Sequence, residues 1–231
     1  EVYPNHDAAH LGAANTVVVS TAIRESNPEY QAALERGLLI LPRAAALAAV
    51  MDGRRTVAVG GTHGKTTTTS MLAVMLRAAG ADPGFAIGGT LLATGEGAHD
   101  GTGDLFVAEA DESDGSFLLY SPHAAIVTNV EPDHLDHYGT AEAVAKAFVD
   151  FADRVRPGGF LVTCVDDPGA RALAESARAR GVRVLGYGEA PDADAAITAV
   201  APDRTGWSCA AARRVGKECQ RSGSCRRPPD H

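Results

Sequence analysis

One stretch constrains the fold of this chain more than any other: TVAVGGTHGKTTTTS, Thr56 to Ser70. A β-branched apolar run ends in glycines, and Lys65 with four following threonines opens a segment of helical apolar periodicity. A glycine turn between a strand and a helix is typical of parallel α/β sheets, where the turn lies at the carboxyl end of the strand. Four β-branched residues are poor helix formers, so something other than helix stability requires them here.

The same alternation of strand and helix continues along the chain. Strands alternating with helices predict parallel sheets covered by helices on both faces, which is an α/β fold. One series ends and a longer one begins at residues 52–55, where we predict a domain boundary, and Gly95–Gly103 is predicted as a surface loop. The predicted strands lie within 15–23, 38–41, 56–60, 104–110, 124–130, 159–165 and 182–188, and the helices within 28–37, 43–53, 65–80, 141–155 and 168–181.

Composition excludes two classes of partner. No apolar run approaches the roughly 20 residues of a membrane helix, and a net charge of −8 over 231 residues argues against nucleic acid, which needs a basic face. Four cysteines are few, which indicates a reduced, cytoplasmic setting. The chain starts at Glu1 without a signal-peptide pattern, so we expect it to begin inside a longer protein.

The residues GGTHGKTT follow a strand and open a helix, which predicts a phosphate loop. Backbone N–H groups and the positive end of the helix dipole bind anionic oxygens; Lys65 would add a point charge and Thr66 a hydroxyl for Mg²⁺. Val59 stands where the usual spacing has its first glycine, and a glycine-rich turn with a surface lysine is the alternative. The predicted ATP-binding residues are Gly61, Thr62, His63, Gly64, Lys65, Thr66 and Thr67.

Acidic and histidine residues follow two other predicted strands. Because ligands collect at the carboxyl ends of strands in open α/β sheets, these groups are expected beside the phosphate loop. Local helix caps and a solvated turn are the alternatives, and "DHLDH" read as a zinc or two-metal hydrolase site is a rival. The groups are Glu109, Asp111, Glu112 and Asp114 after one strand, and Asn129, Glu131, Asp133, His134, Asp136 and His137 after the other.

Four segments carry a resemblance to the Mur ligases of peptidoglycan synthesis: HDAAHLGAANTVVVSTAIRESNPE, GTHGKTTTTS, EADESDGSFL and AIVTNVEPDHLDHYG. The resemblance runs from about His6 to Ser208. It implies a Mur-ligase-like α/β fold, in which a partial Rossmann-like N-terminal domain is followed by a parallel-sheet ATPase domain containing the phosphate loop. Residues 1–53 would be the C-terminal part of a nucleotide-sugar domain and residues 54–208 an incomplete central ATP-binding domain.

The resemblance also implies a reaction. Mur ligases activate a substrate carboxylate with ATP as an acyl phosphate, and an amine then displaces phosphate to form an amide. His63 together with Ser113 points, within the family, to the joining of L-alanine to UDP-N-acetylmuramate, with ATP and Mg²⁺, in the cytoplasm.

Site residues follow by resemblance at matching positions. Lys65, Glu109 and His134 are the implied catalytic residues, with Lys65 steadying the γ-phosphate. The implied Mg²⁺ ligands are Thr66, Glu109 and His134, and the implied substrate residues are Glu112 and Asn129 near the reacting groups and Ser20, Thr21 and Ala22 near the uridine nucleotide.

The chain departs from the family at both ends. The first domain lacks its opening strand and glycine turn, and the third domain is missing. Residues 209–231, CAAARRVGKECQRSGSCRRPPDH, show no βα periodicity and are predicted to be a disordered, atypical basic tail. A shifted reading frame of a GC-rich gene produces such a composition; a genuine tail is the alternative. We therefore expect a ligase fragment without measurable turnover, the alternatives being a nucleotide-binding remnant without catalysis and the hydrolase.

Overall fold

The computed structural model describes residues 1–203, 206–215 and 218–226, and the chain separates into two compact units, Glu1–Gly53 and Arg54–His231. In the first unit β1 and β2 pair in parallel, with Thr16 opposite Leu39. Its elements are a 3₁₀ turn at Ala8–Leu11, β1 (Thr16–Val19), α1 (Pro28–Glu35), β2 (Leu39–Pro42) and α2 (Arg43–Met51).

The second unit continues the alternation that the sequence predicts. Its helices are α3 (Lys65–Ala78), α4 (Leu135–Tyr138), α5 (Ala141–Ala152) and α6 (Pro168–Ala179), with a 3₁₀ turn at Ser116–Leu119. Its strands are β3 (Arg55–Gly60), β4 (Gly84–Ala86), β5 (Ala98–His99), β6 (Leu105–Glu109), β7 (Ala124–Val127), β8 (Phe160–Cys164), β9 (Arg183–Gly188), β10 (Ala195–Asp203), β11 (Gly206–Val215) and β12 (Glu218–Arg226). None of the helices described is both long and apolar enough to cross a membrane.

The sheet of the second unit has the strand order β12-β11-β10-β9-β8-β7-β3-β6-β4-β5. The strands from β10 to β4 in that order run parallel, which confirms the predicted α/β class. Strand β3 lies between β6 and β7, with Val59 opposite Glu109 and Gly60 opposite Val127. The carboxyl ends of these three strands therefore meet at one edge of the sheet.

Apolar side chains bury the centre of this sheet. Phe117 stacks on Phe151 with ring centroids 4.9 Å apart and meets Phe148 edge-on at 5.7 Å. All three phenylalanines are fully buried, and burying each stabilises the fold by about 1.5–3 kcal/mol. A second cluster joins β3, α3, β4 and β6 through Val59, Ala73, Phe85, Leu91 and Val107.

Strands β4, β5 and β10 and helix α4 lie outside the strands and helices predicted from the sequence. Gly95–Gly103, predicted as a loop, contains β5, which pairs antiparallel with β4 and places His99 opposite Phe85. Strand β11, which begins at Gly206, and β12 form an antiparallel ladder that overlaps the segment 209–231 predicted to be a disordered tail, and residues 216–217 and 227–231 lie outside the described residues. Such ladders are held by backbone hydrogen bonds, which need no apolar alternation. The assignment of this segment as an atypical tail stays a prediction.

The carboxylate of Asp167 connects the start of α6 to the segment that follows β7 through hydrogen bonds. Its Oδ1 accepts hydrogen bonds from the N–H of Ala170, at 2.7 Å, and from the N–H of Val130, at 3.0 Å. The backbones are so close that a Cβ on Gly169 would lie 2.0 Å from the carbonyl oxygen of Val130. One carboxylate therefore caps a helix and orients a strand-end segment.

Replacing Asp167 with Ala should cost more stability than removing an ordinary helix cap. Asp167→Ala removes the cap and leaves the largely buried Val130 N–H unpaired, for an expected loss of about 2–3 kcal/mol. Thr140→Ala is the matched control, because Thr140 caps α5 through the N–H of Ala143 alone, and should cost about 1 kcal/mol. Urea unfolding measures both, and equal losses would contradict the double role of Asp167.

Candidate functional site

The loop between β3 and α3 requires its glycines. Gly61 has φ +126° and Gly64 has φ +82°, and a Cβ on Gly61 would lie 2.1 Å from Oγ1 of Thr128. Gly64 is the N-cap of α3 and no side chain caps this helix end. The first-turn N–H groups of a helix have no partner within the helix, and the helix dipole makes this end positive. The loop thus presents free donors at the sheet edge where β3 ends.

Residues after β7 hold the loop by its backbone. The N–H of Thr62 donates to the carbonyl oxygen of Asn129 at 3.3 Å, and the N–H of Glu131 donates to Oγ1 of Thr62 at 2.9 Å. The N–H of His63 donates to Oδ1 of Asn129 at 2.8 Å, and the hydroxyl of Thr128 donates to the carbonyl oxygen of His63 at 2.5 Å. The predicted neighbours Thr62, His63 and Asn129 are therefore brought together.

Lys65 is held inside this loop by a buried carboxylate. Its Nζ donates to the carbonyl oxygens of Gly61, at 2.9 Å, and Thr62, at 3.3 Å, and lies 2.9 Å from both carboxylate oxygens of Glu112. Glu112 is only 2% exposed, and its Oε2 accepts no hydrogen bond. Burial raises the pKa of Glu112, and the opposing effect of Lys65 is smaller. The structure therefore places a cation at the mouth of the loop, paired with one buried carboxylate.

His134 and Tyr138 both contact Glu112, the first at its carboxylate and the second at its backbone carbonyl. Nε2 of His134 lies 3.7 Å from Oε1 of Glu112, and the hydroxyl of Tyr138 donates to the carbonyl oxygen of Glu112 at 2.6 Å. Burial, together with nearby carboxylates, raises the pKa of Tyr138 to about 12, so its hydroxyl stays a donor. His134 is the single non-glycine residue with positive φ (+50°) among the described residues. Such strained backbone is concentrated at functional sites.

Thr66 and Glu109 form a second, oxygen-rich contact. The hydroxyl of Thr66 donates to Oε1 of Glu109 at 2.9 Å, and the N–H of Gly88 donates to Oε2 at 2.7 Å. A hydroxyl next to a carboxylate fits Mg²⁺, which takes oxygen ligands and one or two protein groups at phosphate sites. His134, the third predicted ligand, lies beside Glu112 instead. The structure thus brings two of the three predicted Mg²⁺ ligands, Thr66 and Glu109, into direct contact.

The zinc hydrolase alternative gains no support from the geometry. Within residues 1–203 and the described parts that follow, no group of three or more His, Cys, Asp and Glu side chains is placed to hold a metal ion. Asp111 and Asp114 accept hydrogen bonds from the N–H groups of Ser113 and Ser116, but neither caps a helix, because the 3₁₀ turn at Ser116–Leu119 has Gly115 as its N-cap and no side-chain cap.

The run of four threonines now has a structural explanation. Thr66 contacts Glu109, as described above. Thr69 is fully buried, and its hydroxyl donates to the carbonyl oxygen of Lys65 at 2.8 Å. At least two of the four hydroxyls thus have defined partners at the start of α3.

The first unit contains a cavity of about 340 Å³. Ser20, predicted near a uridine nucleotide, lines it; Thr21 and Ala22 are not among its lining residues. Polar groups of Asn27, Glu29 and Arg43 line the cavity together with Val17 and Tyr30.

Sequence reasoning missed three contacts at the sheet edge. Thr128 directly precedes the predicted Asn129, so its place at a strand end was the available signal. Gly88 lies 21 residues from Glu109, whose carboxylate it contacts, and Tyr138 lies 26 residues from Glu112, whose backbone carbonyl it contacts, so no local pattern marks either residue.

Two family models match the chain: the Mur ligase middle domain over residues 59–218 and the Mur ligase family catalytic domain over residues 1–55. The UDP-N-acetylmuramate–L-alanine ligase of Nocardioides sp. is 67% identical over 184 residues, covering 80% of this chain and 41% of the relative. The enzyme of the same name from Kineococcus radiotolerans is 62% identical over 201 residues, covering 85% of this chain and 42% of the relative.

Solved structures share the fold. The UDP-N-acetylmuramate:L-alanyl-gamma-D-glutamyl-meso-diaminopimelate ligase from Neisseria meningitides matches with a TM-score of 0.75 and 27% identity, covering 91% of this chain and 68% of that one. The UDP-N-acetylmuramate-alanine ligase from Thermotoga maritima matches with a TM-score of 0.75 and 24% identity, covering 96% of this chain and 48% of that one.

The chain spans about two fifths of the length of the curated relatives named here. The middle-domain match by itself covers more than half of the chain and contains the phosphate loop, Glu109, Glu112 and His134. The chain therefore belongs to the Mur ligase family.

Proposed function

We propose that this chain is the ATP-binding part of a ligase that joins L-alanine to UDP-N-acetylmuramate in peptidoglycan synthesis. The observation that best supports this proposal is the position of Lys65 in the loop between β3 and α3. Its ammonium group contacts two loop carbonyl oxygens and the buried carboxylate of Glu112. Two relatives above 60% identity carry the name of that ligase. A solved ligase with the same fold, from Thermotoga maritima, is in complex with ADP.

In the proposed reaction a substrate carboxylate attacks the γ-phosphate of ATP and displaces ADP to give an acyl phosphate, from which the amine of L-alanine then displaces phosphate to form the amide. Such a step depends on alignment and charge neutralisation. Lys65 and the first-turn N–H groups of α3 bind phosphate oxygens, and Glu112 holds Lys65 in place. Thr66 and Glu109 would hold Mg²⁺, which supplies positive charge to the phosphates when bound. His134 lies next to Glu112, and Asn129 lies next to His63, at the edge of this site.

The remaining assignments follow from the same proposal. The cavity of the first unit, lined by Ser20, would take part of the uridine nucleotide, with residues 1–53 as the C-terminal part of that domain. The central ATP-binding domain would begin at residue 54. Consumption of ATP agrees with a cytoplasmic location, and no nucleic-acid or membrane partner is proposed. The alternative is a nucleotide-binding remnant that catalyses nothing.

Removal of the loop lysine should weaken nucleotide binding. In Lys65→Ala the phosphates lose a charged donor and Glu112 loses its buried partner, so ATP affinity should fall about tenfold to a hundredfold. Lys146→Ala is the control, because Lys146 pairs with Asp150 on the surface of α5 and should leave ATP affinity unchanged. Titration calorimetry with MgATP measures both, and equal affinities would contradict the proposed phosphate loop.

Glu109 should govern the contribution of Mg²⁺. Glu109→Gln keeps the shape of the side chain but removes the charge, so the gain in ATP affinity on adding Mg²⁺ should shrink by about tenfold. Glu142→Gln, on the exposed first turn of α5, is the matched control. ATP titrations at several Mg²⁺ concentrations check this, and an unchanged Mg²⁺ dependence would remove Glu109 from the metal site.

The ligase proposal itself is tested by exchange of segments. A chimera in which the aligned segment of this chain replaces the matching 184 residues of the Nocardioides relative should release phosphate from ATP only with both UDP-N-acetylmuramate and L-alanine present. Lys65→Ala in the chimera should abolish that release. A chimera that binds ATP but shows no turnover, next to an active parent, would favour the remnant. For the chain by itself we expect no measurable turnover.

A further inference from the structure

The hydroxyl of Thr128 lies at the centre of the contact between β7 and the phosphate loop. It is 2.5 Å from the carbonyl oxygen of His63 and 3.4 Å from that of Gly60. A hydroxyl has one proton to donate, so the much shorter contact identifies His63 as its acceptor. Thr128 thus fixes a single loop carbonyl by a side-chain hydrogen bond.

The direction of that carbonyl decides the direction of the next N–H. A peptide unit is planar and trans, so its C=O and N–H point in opposite directions. With the oxygen of His63 drawn toward Thr128, the N–H of Gly64 points away from β7. Gly64 is the N-cap of α3, where donors have no partner within the helix.

The preceding peptide has the opposite orientation. The N–H of His63 donates to Asn129, and the carbonyl oxygen of Thr62 on the other side of that peptide accepts from Lys65 at 3.3 Å. Two consecutive peptides therefore alternate: one directs its N–H to the segment after β7, and the other directs its C=O there. Thr128 and Asn129, adjacent in sequence, hold the two sides of His63.

We propose that Thr128 is a positioning residue for phosphate binding: its hydroxyl turns the His63–Gly64 peptide so that the N–H of Gly64 is free to donate to a phosphate oxygen. This inference rests on the proposed function. Gly61 contributes by packing against the same side chain, since any Cβ there would displace Oγ1 of Thr128. Without the hydroxyl the peptide is free to flip and present an oxygen to the anion.

The chain offers a matched control in Thr163. Its hydroxyl is fully buried and donates to the carbonyl oxygen of Val127, the residue directly before Thr128. Thr128→Val removes a hydroxyl directly after β7, and Thr163→Val removes a hydroxyl of β8 that bonds the last carbonyl of β7, both with little change in side-chain volume. Only the first of these hydroxyls contacts the phosphate loop.

The experiment compares MgATP affinity and melting temperature among the wild type, T128V, T128S and T163V. T128V should weaken ATP binding by about tenfold to a hundredfold, as expected for one lost hydrogen bond to a charged group. T128S should stay within about threefold of the wild type, and T163V should lower the melting temperature with unchanged affinity. Equal affinity losses in T128V and T163V, or none in T128V, would overturn the inference.

Amide hydrogen exchange on the wild type provides a readout that does not depend on a variant folding. The N–H of His63 should be protected in the free protein, and that of Gly64 should become protected only with MgATP. Protection of Gly64 without nucleotide would contradict the inference. A wild type that does not bind MgATP would overturn the proposed function together with this inference, whereas binding with an unaffected T128V overturns the inference by itself.

Discussion

The pairing of β3 between β6 and β7 is the constraint on which the rest of the site depends. Val59 lies opposite Glu109 and Gly60 opposite Val127, so the three strands end level with one another. Because the ladders are parallel, the segments that follow leave at the same edge. Glu109, Glu112 and Thr128 consequently meet a loop and a helix that precede them by tens of residues.

The buried pair of Lys65 and Glu112 gives that edge its electrostatic character. Desolvation of a carboxylate is costly, and here it raises the pKa of Glu112 even with an ammonium group 2.9 Å away. Such a pair is weak evidence for stability, since desolvation offsets much of its attraction. The pair matters because it holds the ammonium group of Lys65 close to the free N–H groups of α3. An anion bound there would be stabilised by the ammonium group and by these N–H groups.

Much of the fold was predictable because helices and buried strands have different periods. The predicted strand before the loop and the predicted helices that contain α1, α5 and α6 follow from apolar spacing. Two-residue β5 has no period to detect, and the ladder of β11 and β12 depends on backbone pairing rather than side-chain pattern. Strand β5 was accordingly predicted as part of a loop, and the segment with most of β11 and β12 was predicted as a disordered tail.

The sequence by itself determined a glycine turn between a strand and a helix, because its glycines occupy backbone conformations and close approaches that other residues do not tolerate. It also placed carboxylates and a histidine after two further strands. Only the tertiary structure decided which of these groups meet: Thr66 with Glu109, Lys65 with Glu112, and Thr128 with His63. The physical reason is that strand order and register are set by packing across the whole sheet, and no local period encodes neighbours that lie 43 to 65 residues apart in the chain.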